Sequence, residues 1–172
     1  MKQFRQAFLF LLIIALVGCK KIPTFPTAPE ITFVGLKKIT VDRGAQSDKD
    51  SVVITLGFKD GDGDLGTSDN TKINYFVDVY GKLEGKFQKV ITNDTVPIRY
   101  LNRNGTFFSL NPDGRQGPLE GTLKYGISSY VNFKPYSDSA KYTLKFNVYI
   151  KDNAGNKSNE IETSEVEITN YL

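Results

Sequence analysis

Apolar and polar residues alternate along most of the chain after its first 29 residues. The clearest run, Lys141–Lys151, has an apolar residue at every second position, and Ser51–Phe58 and Ile73–Tyr80 share this period of two. Successive side chains of a strand point to opposite faces, so this period is typical of a strand with one buried face. No segment beyond residue 18 has the periodicity of an amphipathic helix. The pattern predicts an all-β fold.

Turn-forming residues separate the predicted strands. Gly81–Gly85 is typical of a hairpin turn, and Pro97–Gly117 predicts a long connection with a short strand near Thr106–Leu110. The last strand, Ile161–Ile168, is expected to contain an irregularity. Seven or more short strands predict a single antiparallel β-sandwich that occupies residues 30–172.

The chain starts with a short basic segment, followed by the apolar run Ala7–Val17. That run is too short to span a bilayer as a helix and is typical of a signal peptide. It ends in Leu16-Val17-Gly18-Cys19, which resembles the lipobox of bacterial lipoproteins. The resemblance implies that residues 1–18 are a signal peptide, that cleavage precedes Cys19, and that Cys19 carries diacylglycerol and an acylated amine. The alternative is an ordinary secretory peptide followed by a free cysteine.

Residues 19–29 contain three prolines and predict an extended tether between a lipid anchor and the domain. Without residues 1–18 the chain loses Lys2 and Arg5, which leaves 20 basic against 19 acidic residues. This balance gives no electrostatic basis for nucleic-acid binding. The chain has no histidine, and Cys19 is its only cysteine. The commonest general base and any disulfide framework are therefore excluded.

The most distinctive polar segment follows the Ser51–Phe58 run. Asp60, Asp62 and Asp64 alternate with glycine, and carboxylates this close repel one another unless a counter-ion joins them. A hard cation such as Ca²⁺ takes six to eight oxygen ligands and suits such a loop. The loop departs from the EF-hand pattern, because Leu65 occupies the position of the invariant glycine. The alternative is a hydrated Asp/Gly turn without a metal.

Two short motifs resemble immunoglobulin-like domains. Asp138-Ser139-Ala140-Lys141-Tyr142 is similar to the D-x-A-x-Y start of strand F, although Leu144 stands where that family has a cysteine and the chain has no tryptophan. The segment that begins at Asp152 resembles the D-x-A-G-N loop of bacterial surface modules. The chain thus resembles a Bacteroidetes-type lipoprotein with an immunoglobulin-like or fibronectin III-like domain.

We call the segment that contains Asp60, Asp62 and Asp64 the acidic loop. The resemblance implies that it is the loop between strands B and C, and that the segment after Asp152 is the loop between strands F and G. Both loops lie at the same end of such sandwiches. Asp152, together with an amide oxygen of Asn153 or Asn156, would then complete a Ca²⁺ shell begun by the three aspartates of the acidic loop. The alternative is that Asp152 and Asn156 only shape a turn.

The expected function is a non-catalytic structural or interaction module of the cell envelope, anchored by lipid in the outer membrane and binding an envelope protein. The resemblance leaves glycan binding as an alternative, since similar lipoproteins serve polysaccharide uptake. An exposed row of Phe76, Tyr80 and Tyr149 would favour sugar binding, whereas buried rings would favour a scaffold. Catalysis is not expected, because acids gathered in one loop suit a metal better than two opposed catalytic groups.

Overall fold

The alternating segments form β-strands in the computed structural model, which describes residues 23–44, 46–91, 101–111, 113–115, 117–128 and 141–169. Eight strands are found in these residues: β1 (Glu30–Arg43), β2 (Gln46–Asp60), β3 (Tyr75–Leu83), β4 (Lys86–Lys89), β5 (Leu119–Ser128), β6 (Lys141–Ile150), β7 (Ile161–Glu162) and β8 (Val166–Thr169). The same residues include no helix with the length and apolar character needed to cross a membrane.

The strands form two antiparallel sheets. One sheet has the order β1-β2-β5, and the other has the order β4-β3-β6-β7, with β8 also paired to β6. If β1, β2, β3, β5, β6 and β7/β8 are taken as strands A, B, C, E, F and G, this is an immunoglobulin-like arrangement. The prediction of an all-β antiparallel sandwich with at least seven strands is confirmed.

The core lies between the two sheets and is built by every second residue of the strands. Ile54 and Leu56 of β2 face Val77 of β3 and Phe146 and Val148 of β6, and all five are at most 1% exposed. Burying one such side chain stabilises the fold by roughly 1.5–3 kcal/mol. The period of two in the sequence is thus the consequence of one shared core.

The start of β3 differs from the prediction. Ile73, expected on the buried face with Tyr75, is 53% exposed, and Asn74 is buried instead. The Asn74 side chain donates from Nδ2 to the carbonyl of Phe107 (3.0 Å) and accepts from the Phe107 amide at Oδ1 (2.9 Å). Because these bonds turn Asn74 inward, the strand pattern starts two residues later than its hydrophobicity indicated.

The connection before β5 also differs. The predicted short strand near Thr106–Leu110 is wrong, since none of these residues belongs to a strand. Residues 101–105 instead lie beside β3, where the Arg103 amide donates to Val77 (2.8 Å) and the Gly105 amide donates to Tyr75 (2.8 Å). The Phe107 backbone is held by Asn74 and is not part of a ladder.

Two turns refine the predicted boundaries. The hairpin expected within Gly81–Gly85 turns at Glu84 and Gly85, which both have positive φ (49° and 78°), so β3 extends to Leu83. The expected irregularity of the last strand is found between β7 and β8. There Thr163 donates its amide to the Phe146 carbonyl (2.9 Å), and its Oγ1 accepts from the Phe146 amide (3.0 Å).

A buried carboxylate joins the two sheets at the end of the sandwich opposite the acidic loop. Asp50 of β2 accepts hydrogen bonds from the Thr169 amide and from Thr40 Oγ1 (2.7 Å each), and Lys38 Nζ lies 3.4 Å away. Burial alone would raise the pKa of Asp50, but these partners together hold it below its usual value. The ionised form is therefore the one that the fold stabilises.

We expect Asp50→Ala to lower the free energy of unfolding by about 2–3 kcal/mol at neutral pH, because it leaves the Thr169 amide without its acceptor. Since the folded-state pKa is depressed, the contribution of Asp50 should be lost as the pH falls below about 4. Urea unfolding of the parent and of Asp50→Ala at neutral pH and at a pH below about 4 measures this loss of stability. The exposed Asp113→Ala substitution is the control. An equal loss of stability at the two pH values would contradict the assignment.

Candidate metal centre

The acidic loop and the loop after β6 meet at one end of the sandwich. Asn153 Nδ2 donates to the carbonyl of Gly66 (2.6 Å), and the Ala154 amide donates to Asp64 Oδ2 (2.9 Å). These bonds link positions almost 90 residues apart in the chain. The loops between β2 and β3 and after β6 are thus close enough to share a ligand.

Three predicted ligands form a tight cluster at this junction. Asp60, Asp64 and Asp152 each offer one carboxylate oxygen, and these oxygens lie within 4.8 Å of one another. Asp60 is fully buried and Asp152 is 6% exposed. Two oxygens bound to one Ca²⁺ at 2.3–2.6 Å can lie at most about 5 Å apart, so the cluster fits around a single ion of this size.

Each carboxylate of the acidic loop keeps an oxygen that has no donor. Asp60 Oδ2 accepts from the amides of Gly63 (2.9 Å) and Asp64 (3.1 Å). Asp60 Oδ1, Asp62 Oδ1 and Asp64 Oδ1 are buried and have no hydrogen-bond partner among the described residues. Buried polar atoms in native proteins are almost always satisfied, and each exception calls for an explanation such as strain, a functional role, or a water or ion as partner. An ion that accepts oxygen ligands supplies such a partner.

Asn156 contacts the cluster through Asp152. Its backbone amide donates to Asp152 Oδ1 (2.7 Å), and its side-chain Nδ2 donates to Asp152 Oδ2 (2.8 Å). In this arrangement Asn156 orients the carboxylate of Asp152. The expectation that the Asn156 amide oxygen itself binds the ion stays a prediction.

Glycines allow the acidic loop to curl around the cluster. Gly63 and Gly66 have positive φ (77° and 84°), a conformation that residues with a side chain rarely adopt. A Cβ atom on Gly66 would lie 2.2 Å from the Phe108 carbonyl oxygen, so the neighbouring chain also requires a glycine there. The alternation of aspartate and glycine produces a curled loop here, and not an extended one.

The connection before β5 supports the acidic loop from its other side. The Gly117 amide donates to the Asp62 carbonyl (3.2 Å), Asn111 Nδ2 donates to the Gly63 carbonyl (3.4 Å), and the Leu110 amide donates to the Leu65 carbonyl (3.0 Å). Sequence reasoning missed these residues. The turn signals around Asn111 indicated a loop, but no pattern indicated which part of the fold that loop would contact.

Electrostatics at the cluster favour a positive partner. Burial, with added repulsion from Asp62 and Asp64, raises the pKa of Asp60 to about 6, although the amide of Gly63 acts in the opposite direction. Burial also raises the pKa of Asp64, and the charges of Asp152 and Asp62 raise it further. A divalent cation would remove both costs, because it cancels the repulsion and replaces the lost water.

The chain was compared with known proteins. No protein-family model matches it, and no curated protein matches it. Among solved structures it is similar to a protein from Bordetella pertussis described as ApaA. The identity is 13%, the TM-score is 0.34, and the match covers 86% of this chain and 97% of that chain. A likeness this weak supports no conclusion about fold or function.

Phe76, Tyr80 and Tyr149 lie on the outer face of the second sheet. Their exposure was expected to distinguish a sugar-binding surface from a scaffold. Phe76 and Tyr149 are half-buried and stack on each other across β3 and β6, with centroids 4.6 Å apart and planes at 5°. Lys157 Nζ lies 4.1 Å from the Tyr149 centroid, and Lys89 Nζ lies 5.8 Å from that of Tyr80. These ring faces already contact protein groups.

The raised pKa of Asp60 predicts an unusual pH dependence for metal-free protein. A raised folded-state pKa means that folding takes up a proton, so the free energy of unfolding should fall as the pH rises from about 4 through about 6. Asp60→Asn keeps an acceptor for the two loop amides and cannot ionise. We expect it to be about 1–2 kcal/mol more stable than the parent at neutral pH without divalent cations.

Urea unfolding across this pH range in chelator-treated buffer measures the effect, and the exposed Asp113→Asn substitution is the matched control. If Asp60→Asn destabilises the metal-free protein at neutral pH, the repulsion inferred for the cluster is wrong.

Proposed function

We propose that this chain is a non-catalytic, lipid-anchored module of the cell envelope whose loop end is stabilised by Ca²⁺. In this proposal Cys19 carries the lipid, and the sandwich is a scaffold that presents loops to a protein partner. The localisation proposed is the outer membrane.

The observation that carries the metal part is the set of buried oxygens without donors on Asp60, Asp62 and Asp64. Such atoms cost about 1–3 kcal/mol each when they stay unsatisfied, and more when they are charged. Two of these residues, Asp60 and Asp64, have a carboxylate oxygen within 4.8 Å of one on Asp152, which supports one shared ligand for the cluster. Carboxylate and carbonyl oxygens are the ligands that Ca²⁺ prefers, and histidine and free thiol ligands for softer metals are missing from the described cluster.

The same geometry supports a non-catalytic role. One carboxylate oxygen each of Asp60, Asp64 and Asp152 lies within 4.8 Å of the other two. A pair of catalytic carboxylates instead flanks a bond of the substrate, with about 5–9.5 Å between the groups. Convergence leaves room for an ion and little for a substrate.

The anchor rests on the sequence, since Cys19 lies outside the described residues. Two features support lipidation: the resemblance of Leu16–Cys19 to the lipobox of bacterial lipoproteins, and the short apolar run before it. Two or more acyl chains hold a protein at a bilayer far more firmly than one. The contacts that Phe76 and Tyr149 make with each other favour a scaffold over a sugar platform for this face.

We expect Ca²⁺ to raise the midpoint of thermal unfolding of the purified protein. A ligand that binds only the folded state adds about 2.7 kcal/mol at a hundredfold excess over Kd, which corresponds to roughly 5–10 °C for a domain of this size. Asp62→Asn and Asp152→Asn should reduce this shift strongly because each removes a charged ligand, whereas Asp113→Asn should keep it. The metal site would be contradicted if Ca²⁺ left the midpoint of thermal unfolding unchanged, or if it raised the midpoint equally in all three variants.

Lipidation has its own test. The parent chain, expressed in a bacterium and grown with an alkyne analogue of palmitate, should incorporate the label and partition into the detergent phase of Triton X-114. Cys19→Ser should abolish the labelling, because serine cannot form the thioether to diacylglycerol. If Cys19→Ser incorporates the label like the parent, the anchor assignment is wrong.

A further inference from the structure

The segment that leads from the proposed anchor contacts the domain at the acidic loop. Gly61 faces the carbonyl groups of Phe25 and Pro26, so closely that a Cβ atom on Gly61 would lie 2.4 Å and 2.7 Å from their oxygens. Lys59 Nζ lies 5.5 Å from the centroid of the Phe25 ring. The predicted tether therefore contacts, through Phe25 and Pro26, the end of the sandwich that carries the carboxylate cluster.

This contact limits the distance between that end and a lipid on Cys19. Phe25 is the sixth residue after Cys19, and a fully extended chain spans at most about 3.6 Å per residue, or about 20 Å in all. The opposite end of the sandwich is much farther away. β3 runs from Tyr75 beside the acidic loop to Leu83 at the other end, and its nine residues add about 27 Å.

The acidic end also presents a large apolar side chain to solvent. Phe108 is 74% exposed, the highest value among the large apolar residues described. Its backbone is fixed, because its carbonyl packs on Gly66 and the neighbouring Phe107 is buried and bonded to Asn74. Ile73, 53% exposed, lies in the segment that is bonded to Thr106 through the Lys72 carbonyl (2.6 Å). An exposed aromatic ring on a rigid loop is suited to the boundary between water and lipid.

We propose that the acidic-loop end of the sandwich faces the bilayer and that Phe108 contacts the lipid interface. The proposal rests on the lipid anchor proposed above, since the short link from Cys19 is what brings this end to the membrane. A contact of this kind would fix the orientation of the domain, so that the β3–β4 turn and the far end of the sandwich point away from the lipid.

The chain contains no tryptophan, so one introduced indole reports its own surroundings. We would reconstitute lipidated Phe108→Trp and Leu83→Trp into vesicles of phosphatidylethanolamine and phosphatidylglycerol in which part of the lipid carries bromine on its acyl chains. Leu83 is the matched control, because it is also an exposed apolar residue but lies at the opposite end of β3. The proposal predicts several-fold stronger bromine quenching of the indole at 108 than of the indole at 83, together with a blue-shifted emission.

Flotation of the vesicles separates the two ways in which this can fail. If the variants do not float with the vesicles, the lipid anchor is absent, and both the proposed function and this orientation are overturned. If they float but the indole at 108 is quenched no more than the indole at 83, the anchor stands and the orientation is wrong.

Discussion

Repulsion between buried carboxylates is the constraint on which this end of the molecule depends. Asp60, Asp64 and Asp152 have oxygens within 4.8 Å of one another, with Asp62 close enough to raise the pKa of both acidic-loop neighbours. Burial weakens the screening that water gives to exposed charges. The fold therefore gathers charge where it is most costly, and a cation removes that cost. This cost is the basis of our proposal that the cluster binds a cation.

The surrounding loops are organised to hold the cluster in place. Backbone amides bind one oxygen of Asp60 and one of Asp64, and Asn156 orients Asp152. The Oδ1 atoms of Asp60 and Asp64 are left buried without a hydrogen-bond partner among the described residues. Three separate parts of the chain contribute to this junction: the loop after β2, the loop after β6 and the connection before β5. The rigid sandwich fixes the first two, because β2 and β6 belong to facing sheets that share one core.

The sequence was sufficient for the fold class and for most of the strands, because one shared core imposes a period of two that is visible without a structure. The meeting of the acidic loop with the loop after Asp152 was expected from the resemblance to immunoglobulin-like domains, in which the B–C and F–G loops lie at the same end. The inward turn of Asn74 was not, because a side chain that binds the backbone of Phe107, 33 residues away, leaves no local pattern. The support from Asn111 and the contact between Phe25 and Gly61 were missed for the same reason.

The most direct test of the metal centre is a crystal structure of the protein grown with Ca²⁺, with anomalous data collected at a long wavelength. We expect one anomalous peak at the junction of the two loops, with Asp60 Oδ1, Asp64 Oδ1 and a carboxylate oxygen of Asp152 at about 2.3–2.6 Å from it. A junction with no peak, or one filled by water that bonds the same oxygens, would contradict the claim that these carboxylates are held together by a cation.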